Sequence, residues 1–445
     1  MSFIMNIRSV AKYESKILVR SWFFRIFTLL AVVFLGFFNF AMMLMEDNFG
    51  LWFAKSVSSN IPYLNLLLLN TGQAVVAVFL SSEFLKRDKK LDTFEVFYVR
   101  PLSNAEYVVG KIWGNLRVFL FLNLLVLAIV LAFNFMASGV TVDLPAYLVY
   151  FFLISIPTLI FIIGLSIFLM LLLKNQALTF ILLLGYIGLT LFYIQDKFYY
   201  LFDYMVYNLP LFKSTIVGFS NLELILNHRA IYFFAGLGFI FFTIFLFKRL
   251  PNARRSHYPW LFLSFCMFLL MVTAGFRHVR SILWEGEMRA LYTSINNKYV
   301  YEPKMAIDYY DISVEQKSET IRSVVGMEGT ALAASEVFIF CLNPGLRVEE
   351  VKDGEKSLNF KREEQILAVD FGRKIEKGDT ISFSVSYEGR IKDDFCYLDI
   401  PEEVLQQPHD KEMLKLDKKY SFQTSDYVLF TPETYWYPRP GTGYS

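Results

Sequence analysis

Residues 83–111 read EFLKRDKKLDTFEVFYVRPLSNAEYVVGK, the longest charged stretch between two apolar segments in the first half of the chain. Lys86, Arg87, Asp88, Lys89 and Lys90 exclude burial in a bilayer. Asp92-Thr93-Phe94-Glu95 then pairs an acidic or hydroxyl cap with a glutamate three positions on, the signature of a helix start. Arg100-Pro101 ends that helix, because the residue before proline is pushed out of the α region. Ser103-Asn104-Ala105-Glu106 is a second capping box and opens the helix that enters the next apolar run. The stretch therefore predicts a short surface helix, a proline turn and a new helix at the membrane face, a suitable handle for force from a soluble partner. An ordinary solvated loop with a basic flank is the alternative.

The text on either side is apolar. Of 445 residues, 55% are hydrophobic and 18% aromatic, and the mean hydropathy is +0.42. Such averages over a whole chain exclude an ordinary soluble domain and point to membrane spans. Runs long enough to span fall at 26–45, 62–82, 116–136, 147–173, 177–193, 230–247 and 260–276. The expected fold class is a polytopic α-helical membrane protein of six spans plus a seventh, followed by an exported antiparallel β domain. With the N-terminus inside, seventeen Lys and Arg flank the spans on the inner side and four, Lys55, Lys197, Lys213 and Arg229, lie outside. That bias fixes the orientation and, with seven spans, places the C-terminal part outside. Pro157 and Gly164 are expected to bend the fourth span.

Before the first span, Arg8, Lys12, Lys16 and Arg20 recur every four residues, with Phe3, Ile7, Val10, Ile17 and Leu18 opposite. Residues 1–25 thus read as an amphipathic helix in the interface, cations toward anionic headgroups. Glu14 falls on its apolar side, either snorkelling, paired with a lysine, or touching a neighbouring loop. Within the spans, Asn65, Asn70 and Gln73, with Asn39 and Asn123, are amides that must face other helices or a cavity. No central Asp, Glu, Lys or Arg is expected in a span, which argues against an ion-driven relay. The aromatic text from Phe198 to Tyr207 suits the headgroup level or a short re-entrant element.

Residues 91–111 resemble the cytoplasmic loop of ABC-2 type permeases, on Leu91-Asp92-Thr93-Phe94-Glu95-Val96, Arg100-Pro101-Leu102-Ser103 and Glu106-Tyr107-Val108-Val109-Gly110-Lys111. The likeness extends over roughly 1–250. It implies a coupling helix, with Asp92, Thr93, Phe94, Glu95, Arg100 and Pro101 meeting a separate ATPase subunit. It also implies a second permease chain and an elbow helix containing Glu14. ATP would be bound by the partner, since this chain has no Gly-x-x-x-x-Gly-Lys-Ser/Thr and no cofactor of its own is expected. Residues 26–250 would form the permease and 251–276 an additional helix. The function implied is the membrane-spanning subunit of an ATP-driven exporter, not an enzyme in itself.

Residues 277–445 change character: charges are dense, and Thr380–Tyr387 alternates apolar and polar with period two. Val337–Leu342 reads as a buried strand ended by Asn343-Pro344-Gly345. Arg277–Met288 reads as a helical stalk. Phe338–Val348, Glu376–Tyr387 and Trp436-Tyr437-Pro438 resemble the N-terminal β domain of M1 family aminopeptidases. That family's His-Glu-x-x-His zinc motif is absent here, because His228, His257, His278 and His409 have no helical ligand spacing. The competing function is therefore a membrane-anchored metallopeptidase fusion or remnant without its zinc site, and a non-transporting scaffold is a third. The final Gly441-Thr442-Gly443-Tyr444-Ser445 lacks a closing signal, as expected of an incomplete domain. Cys341 and Cys396 either pair or remain two reduced core thiols.

Overall fold

The computed structural model describes residues 2–44, 57–82, 102–136, 141–194, 197–214, 218–219, 221–247, 258–400, 421–425 and 427–443. The chain divides into two compact units, Met1–Arg280 and a second beginning at Ser281.

The first unit is helical. Helix α1 (Ser2–Arg20) is followed directly by α2 (Trp22–Leu44), then by α3 (Asn60–Ser82) and α4 (Asn104–Met136). Next come α5 (Leu144–Tyr150), one π-helical turn (Phe151–Ser155) and α6 (Ile156–Leu173), which run on as a single apolar rod. Helices α7 (Gln176–Phe192), α8 (Leu222–Leu246) and α9 (Tyr258–Tyr299), the last belonging to the second unit from Ser281 on, complete the set. Six of the described helices are long and apolar enough to cross a membrane. Helix α7, where the fifth span was expected, is apolar but shorter at 17 residues. The helices thus fit a membrane protein.

Three helices run beyond their apolar stretches; α4 and α9 do so where the capping box and the stalk text place helix, and α8 does so against expectation. Helix α4 begins at Asn104, twelve positions before 116, since α1 buries its charged first turns. Helix α8 begins at Leu222, eight before 230, so Arg229 lies inside a buried helix and not in an outer loop. Helix α9 continues past 276 without a break for 42 residues, roughly 63 Å at 1.5 Å per residue, about twice a hydrocarbon core.

Where a bend was expected at Pro157, a π-helical turn (Phe151–Ser155) stands just before it. Gly164 serves a different purpose. A Cβ there would lie 2.6 Å from the Gly236 carbonyl oxygen, and one on Gly236 would lie 2.7 Å from Ile160. The two glycines let α6 and α8 touch backbone to backbone, the packing mode of membrane helices.

The second unit holds the antiparallel β domain. One sheet has the order β3 (Met305–Lys317), β4 (Thr320–Ala331), β10 (Thr380–Gly389), β6 (Leu346–Asp353), β7 (Lys356–Ser357). The other has the order β13 (Arg439–Pro440), β5 (Ser335–Cys341), β9 (Ile366–Ile375), β8 (Asn359–Glu363). Two small pairs remain: β1 (Lys213–Ser214) with β2 (Gly218–Phe219) in the helical unit, and β11 (Ser421–Gln423) with β12 (Val428–Phe430). The period-two text at 380–387 buries Ile381, Phe383, Val385 and Tyr387. Phe383 meets Phe340 and Phe371 of the opposite sheet, with ring centroids 5.2 and 5.3 Å away, so the sheets share one core. Cys341 and Cys396 are both buried and free. Burial pushes the Cys341 thiol up to about 12.

Candidate functional site

The predicted coupling residues Asp92, Thr93, Phe94, Glu95, Arg100 and Pro101 lie outside the described residues. The exit of their loop is described, and it is a reciprocal capping box. The Ser103 backbone N–H donates to Glu106 Oε2 at 2.6 Å, and the Glu106 N–H donates to Ser103 Oγ at 3.1 Å. A carboxylate in the first turn also faces the positive end of the α4 dipole. Glu106 Oε1 accepts from Asn6 Nδ2 of α1 at 2.9 Å. Asn104 Nδ2 donates to the Phe247 carbonyl at 2.5 Å, and Tyr107 stacks on Phe247 with centroids 5.5 Å apart. The first turn of α4 is therefore fixed both to α1 and to the end of α8.

Helix α1 lies along the next two turns. Its Glu14 carboxylate is 3.5 Å from Lys111 Nζ, with both side chains under 5% exposed. Pairing with a lysine, one of the alternatives for this residue, is what the structure has. The lysine stands 97 positions away, at the end of the Tyr-x-x-Gly-Lys text. Ser15 Oγ donates to the Gly114 carbonyl at 2.6 Å, while Arg117 reaches Ser15 Oγ at 2.5 Å and the Ala11 carbonyl at 2.7 Å. This proximity depends on Gly110 and Gly114. A Cβ on Gly110 would sit 2.7 Å from Val10 Cβ, and one on Gly114 would sit 2.8 Å from Glu14 Cβ and 2.9 Å from the Ala11 oxygen. The spacing Gly-x-x-x-Gly was visible in the sequence as a helix-packing signal but had no visible partner. One expectation for α1 is corrected. Val10 and Leu18 do not face lipid; with Ala11, Glu14 and Ser15 they are buried in the seam with α4. Arg8, Lys12, Lys16 and Arg20 are exposed, as expected.

The amides in the spans face other helices. Asn39 and Asn65 exchange two hydrogen bonds, 2.7 and 3.1 Å, across α2 and α3. Asn70, Gln73, Asn123 and Ser155 close a ring. Gln73 donates to Asn70 at 2.6 Å, Asn123 to Gln73 at 2.8 Å, Ser155 to Asn123 at 2.7 Å and Asn70 to Ser155 at 3.2 Å. All four side chains belong to fully buried residues. The ring spends its polar capacity on bracing α3, α4 and the π turn, which leaves it unsuited to lining a substrate path.

A second polar centre escaped the sequence reading. Pro157 has no N–H for the carbonyl four residues back, that of Leu153. Arg229 Nε donates to this carbonyl at 2.7 Å, its Nη2 to Thr158 Oγ1 at 2.9 Å and its Nη1 to the Tyr204 carbonyl at 3.1 Å. The arginine is 3% exposed. A buried guanidinium thus replaces the donor that proline removes and fixes the loop residue Tyr204. Tyr204 itself is buried against Phe161 and Tyr186, whereas Phe198, Tyr199, Phe202 and Tyr207 are at least 40% exposed. The loop from 197 to 211 is accordingly part exposed aromatic surface and part inserted plug. Asp203 anchors it by accepting the N–H groups of Tyr207 (2.9 Å) and Asn208 (2.7 Å), and burial pushes its carboxyl above the usual range.

Among the described residues, no group of three His, Cys, Asp or Glu is placed to hold a metal ion.

No family model matches the chain, and no curated protein matches it. Among solved structures, the M1 zinc metallopeptidase of Deinococcus radiodurans is 16% identical over 20% of this chain and 21% of its own, with a TM-score of 0.19. A mutant of that enzyme bound to a Tyr-Ser-Ala substrate gives the same values. A two-domain M1 zinc metallopeptidase mutant bound to L-arginine is 17% identical over the same shares, with a TM-score of 0.19. The chain spans about a fifth of the length of these structures. A likeness of this size assigns neither fold nor activity.

Proposed function

We propose that the chain is the membrane subunit of an ATP-driven ABC-2 type exporter, powered by a separate ATPase through residues 92–100. One observation carries the reading: a helix that begins at a reciprocal Ser103–Glu106 box is locked at once to Asn6, Lys111–Glu14 and Phe247. A loop that ends on such a rigid seat can pass a push into α1, α4 and α8 together, whereas a loop that only connects two spans needs no such seat. In this reading two such chains form the transporter, ATP is bound by the partner, and the second unit lies outside the cell membrane.

Two outcomes test it. Phe94→Ala is expected to weaken capture of the ATPase subunit roughly thirtyfold, the effect of losing a buried aromatic anchor of about 2 kcal/mol. Asp92→Ala, which removes a cap of about 1 kcal/mol, is expected to weaken it about fivefold. Lys55→Ala should leave capture unchanged. A detergent pull-down at matched membrane levels measures all three, and equal capture by Phe94→Ala and Lys55→Ala would reduce residues 92–100 to a solvated loop. For sidedness, single cysteines placed at Lys90 and Lys356, with Cys266, Cys341 and Cys396 replaced, are expected to react with an impermeant maleimide from opposite sides. Labelling from one side would end the claim that the β domain is exported.

A further inference from the structure

Three successive carbonyls of the plug loop each accept a hydrogen bond from a side chain of α8 or α9. His278 Nε2 donates to Tyr199 O at 2.8 Å, His228 Nε2 donates to Tyr200 O at 2.9 Å, and the Tyr232 hydroxyl donates to Leu201 O. The turn that presents these carbonyls is left-handed at three residues in a row, Phe198, Tyr199 and Tyr200, with φ of 54°, 57° and 62°. Side chains with a Cβ disfavour that region, and a run of three persists only where its surroundings hold it. The three donors are that hold.

A carbonyl can only accept, so the neutral His228 ring carries its proton on Nε2. Its other nitrogen, Nδ1, is buried and has no hydrogen-bond partner among the described residues. A second proton would therefore sit at Nδ1 with no acceptor. The groups facing the ring from its own helix are Arg229 and Tyr232, the latter 5.3 Å away between centroids. From α9 comes His278, its ring centroid 5.1 Å away. From the loop comes Tyr200; the loop's acid, Asp203, is engaged by the N–H groups of Tyr207 and Asn208. Two of these neighbours are basic, and the one acid is engaged elsewhere. His278 Nε2 donates to Tyr199 O, and the Leu224 backbone also engages its ring.

We infer that residues 197–204 form a pH-sensitive latch, docked while His228 is neutral and released when His228 takes a proton, because only release gives the new N–H a partner in water. This does not depend on the coupling reading, since the latch and the 92–100 loop are tested by different measurements.

Hydrogen exchange on the whole chain in lipid nanodiscs reads the latch directly. The amides of Leu201 and Asp203, bonded within the turn to Phe198 O (3.1 Å) and Tyr200 O (3.0 Å), report it. After correction for intrinsic exchange, their protection is expected to fall about tenfold or more between about pH 7.5 and about pH 4.5, a window that reaches below the range of a free histidine because the docked ring is buried beside Arg229 and His278. His228→Gln keeps a side-chain N–H for the Tyr200 carbonyl and does not titrate, so its protection should be equal at both pH values. Tyr232→Phe should lower protection by the same factor at both. The latch is overturned if wild-type protection is the same at the two pH values, or if His228→Gln still loses protection at the lower one. The first of these outcomes needs only the wild-type chain, so it stands even if a variant fails to fold.

Discussion

Arg229→Leu is expected to abolish accumulation of folded protein in the membrane. The guanidinium serves the Leu153 carbonyl, the Tyr204 carbonyl and Thr158 Oγ1, all in a packed apolar surround. The Leu153 carbonyl, left without a donor, costs about 1–3 kcal/mol, and losing a charged donor costs about 1.5–3 kcal/mol at each of the other two, since Thr158 Oγ1 still donates to Tyr204 O at 3.2 Å; together these reach on the order of 4–9 kcal/mol. That approaches the whole stability of a typical domain, about 5–15 kcal/mol. Leucine fills part of the volume but supplies no donor. Arg229→Lys should fall between, because one ammonium cannot meet three acceptors held in a guanidinium's fork. Fluorescence-detected size exclusion on tagged protein gives the readout: no monodisperse peak for leucine, and a reduced, heat-labile peak for lysine. A leucine variant that melts with the wild type would mean that other donors repair the proline gap.

The second large effect is at the seat of α1. Gly114→Leu would place a Cβ 2.8 Å from Glu14 Cβ and 2.9 Å from the Ala11 carbonyl oxygen, and neither neighbour is the far end of a flexible chain. Overpacking of this kind costs about 1–3 kcal/mol. Relief requires α1 to lift, which also breaks the Ser15–Gly114 bond and draws apart the buried Glu14–Lys111 pair. Separating such a pair, by exposing Glu14 and moving its carboxylate away from buried Lys111, costs up to about 3–5 kcal/mol. The variant is therefore expected to release α1 while the spans stay inserted. A cysteine at Ala11, a fully buried position, measures it. With the native cysteines replaced, maleimide should react at this site only in the Gly114→Leu background. Gly36→Leu, at a glycine with nothing within 4 Å of its added Cβ, is the control and should leave Ala11 shielded. Equal reactivity in the two backgrounds would show that the close approach does not hold α1.

What the sequence disclosed, and what it concealed, follows the range of the interactions. The capping box at Ser103 and Glu106 is local, three residues apart, and its hydrogen bonds are those its spelling predicts. The strand at 380–389 is likewise written in its alternation, and the membrane class in unbroken apolar runs. The start of α8 was misplaced because its charged turn is buried by another part of the chain, at Arg229 under the loop. Arg229 and the carbonyl it serves are 76 positions apart, so no periodicity joins them. Pro157 was the one available clue: a proline inside a span implies an orphaned carbonyl, and a cation assigned to a nearby loop could have been tried against it. Asn65, Asn70 and Gln73 were identified as residues needing partners, and their partners prove to be one another, Asn39, Asn123 and Ser155. The residues proposed to meet the ATPase rest on sequence alone.

The seam between α1 and α4 also sets a clock for biosynthesis. Ser15 and the Gly114 carbonyl it binds are 99 residues apart. At ribosomal speeds of about 5–20 residues per second, helix α1 must wait roughly 5–20 s for its berth to be synthesised. During that wait Glu14 has no lysine, and the face that will meet glycine has only the membrane surface or a chaperone to rest on. Helix α1 is thus exposed before its partner exists, and slowing translation between residues 20 and 117 prolongs that exposure.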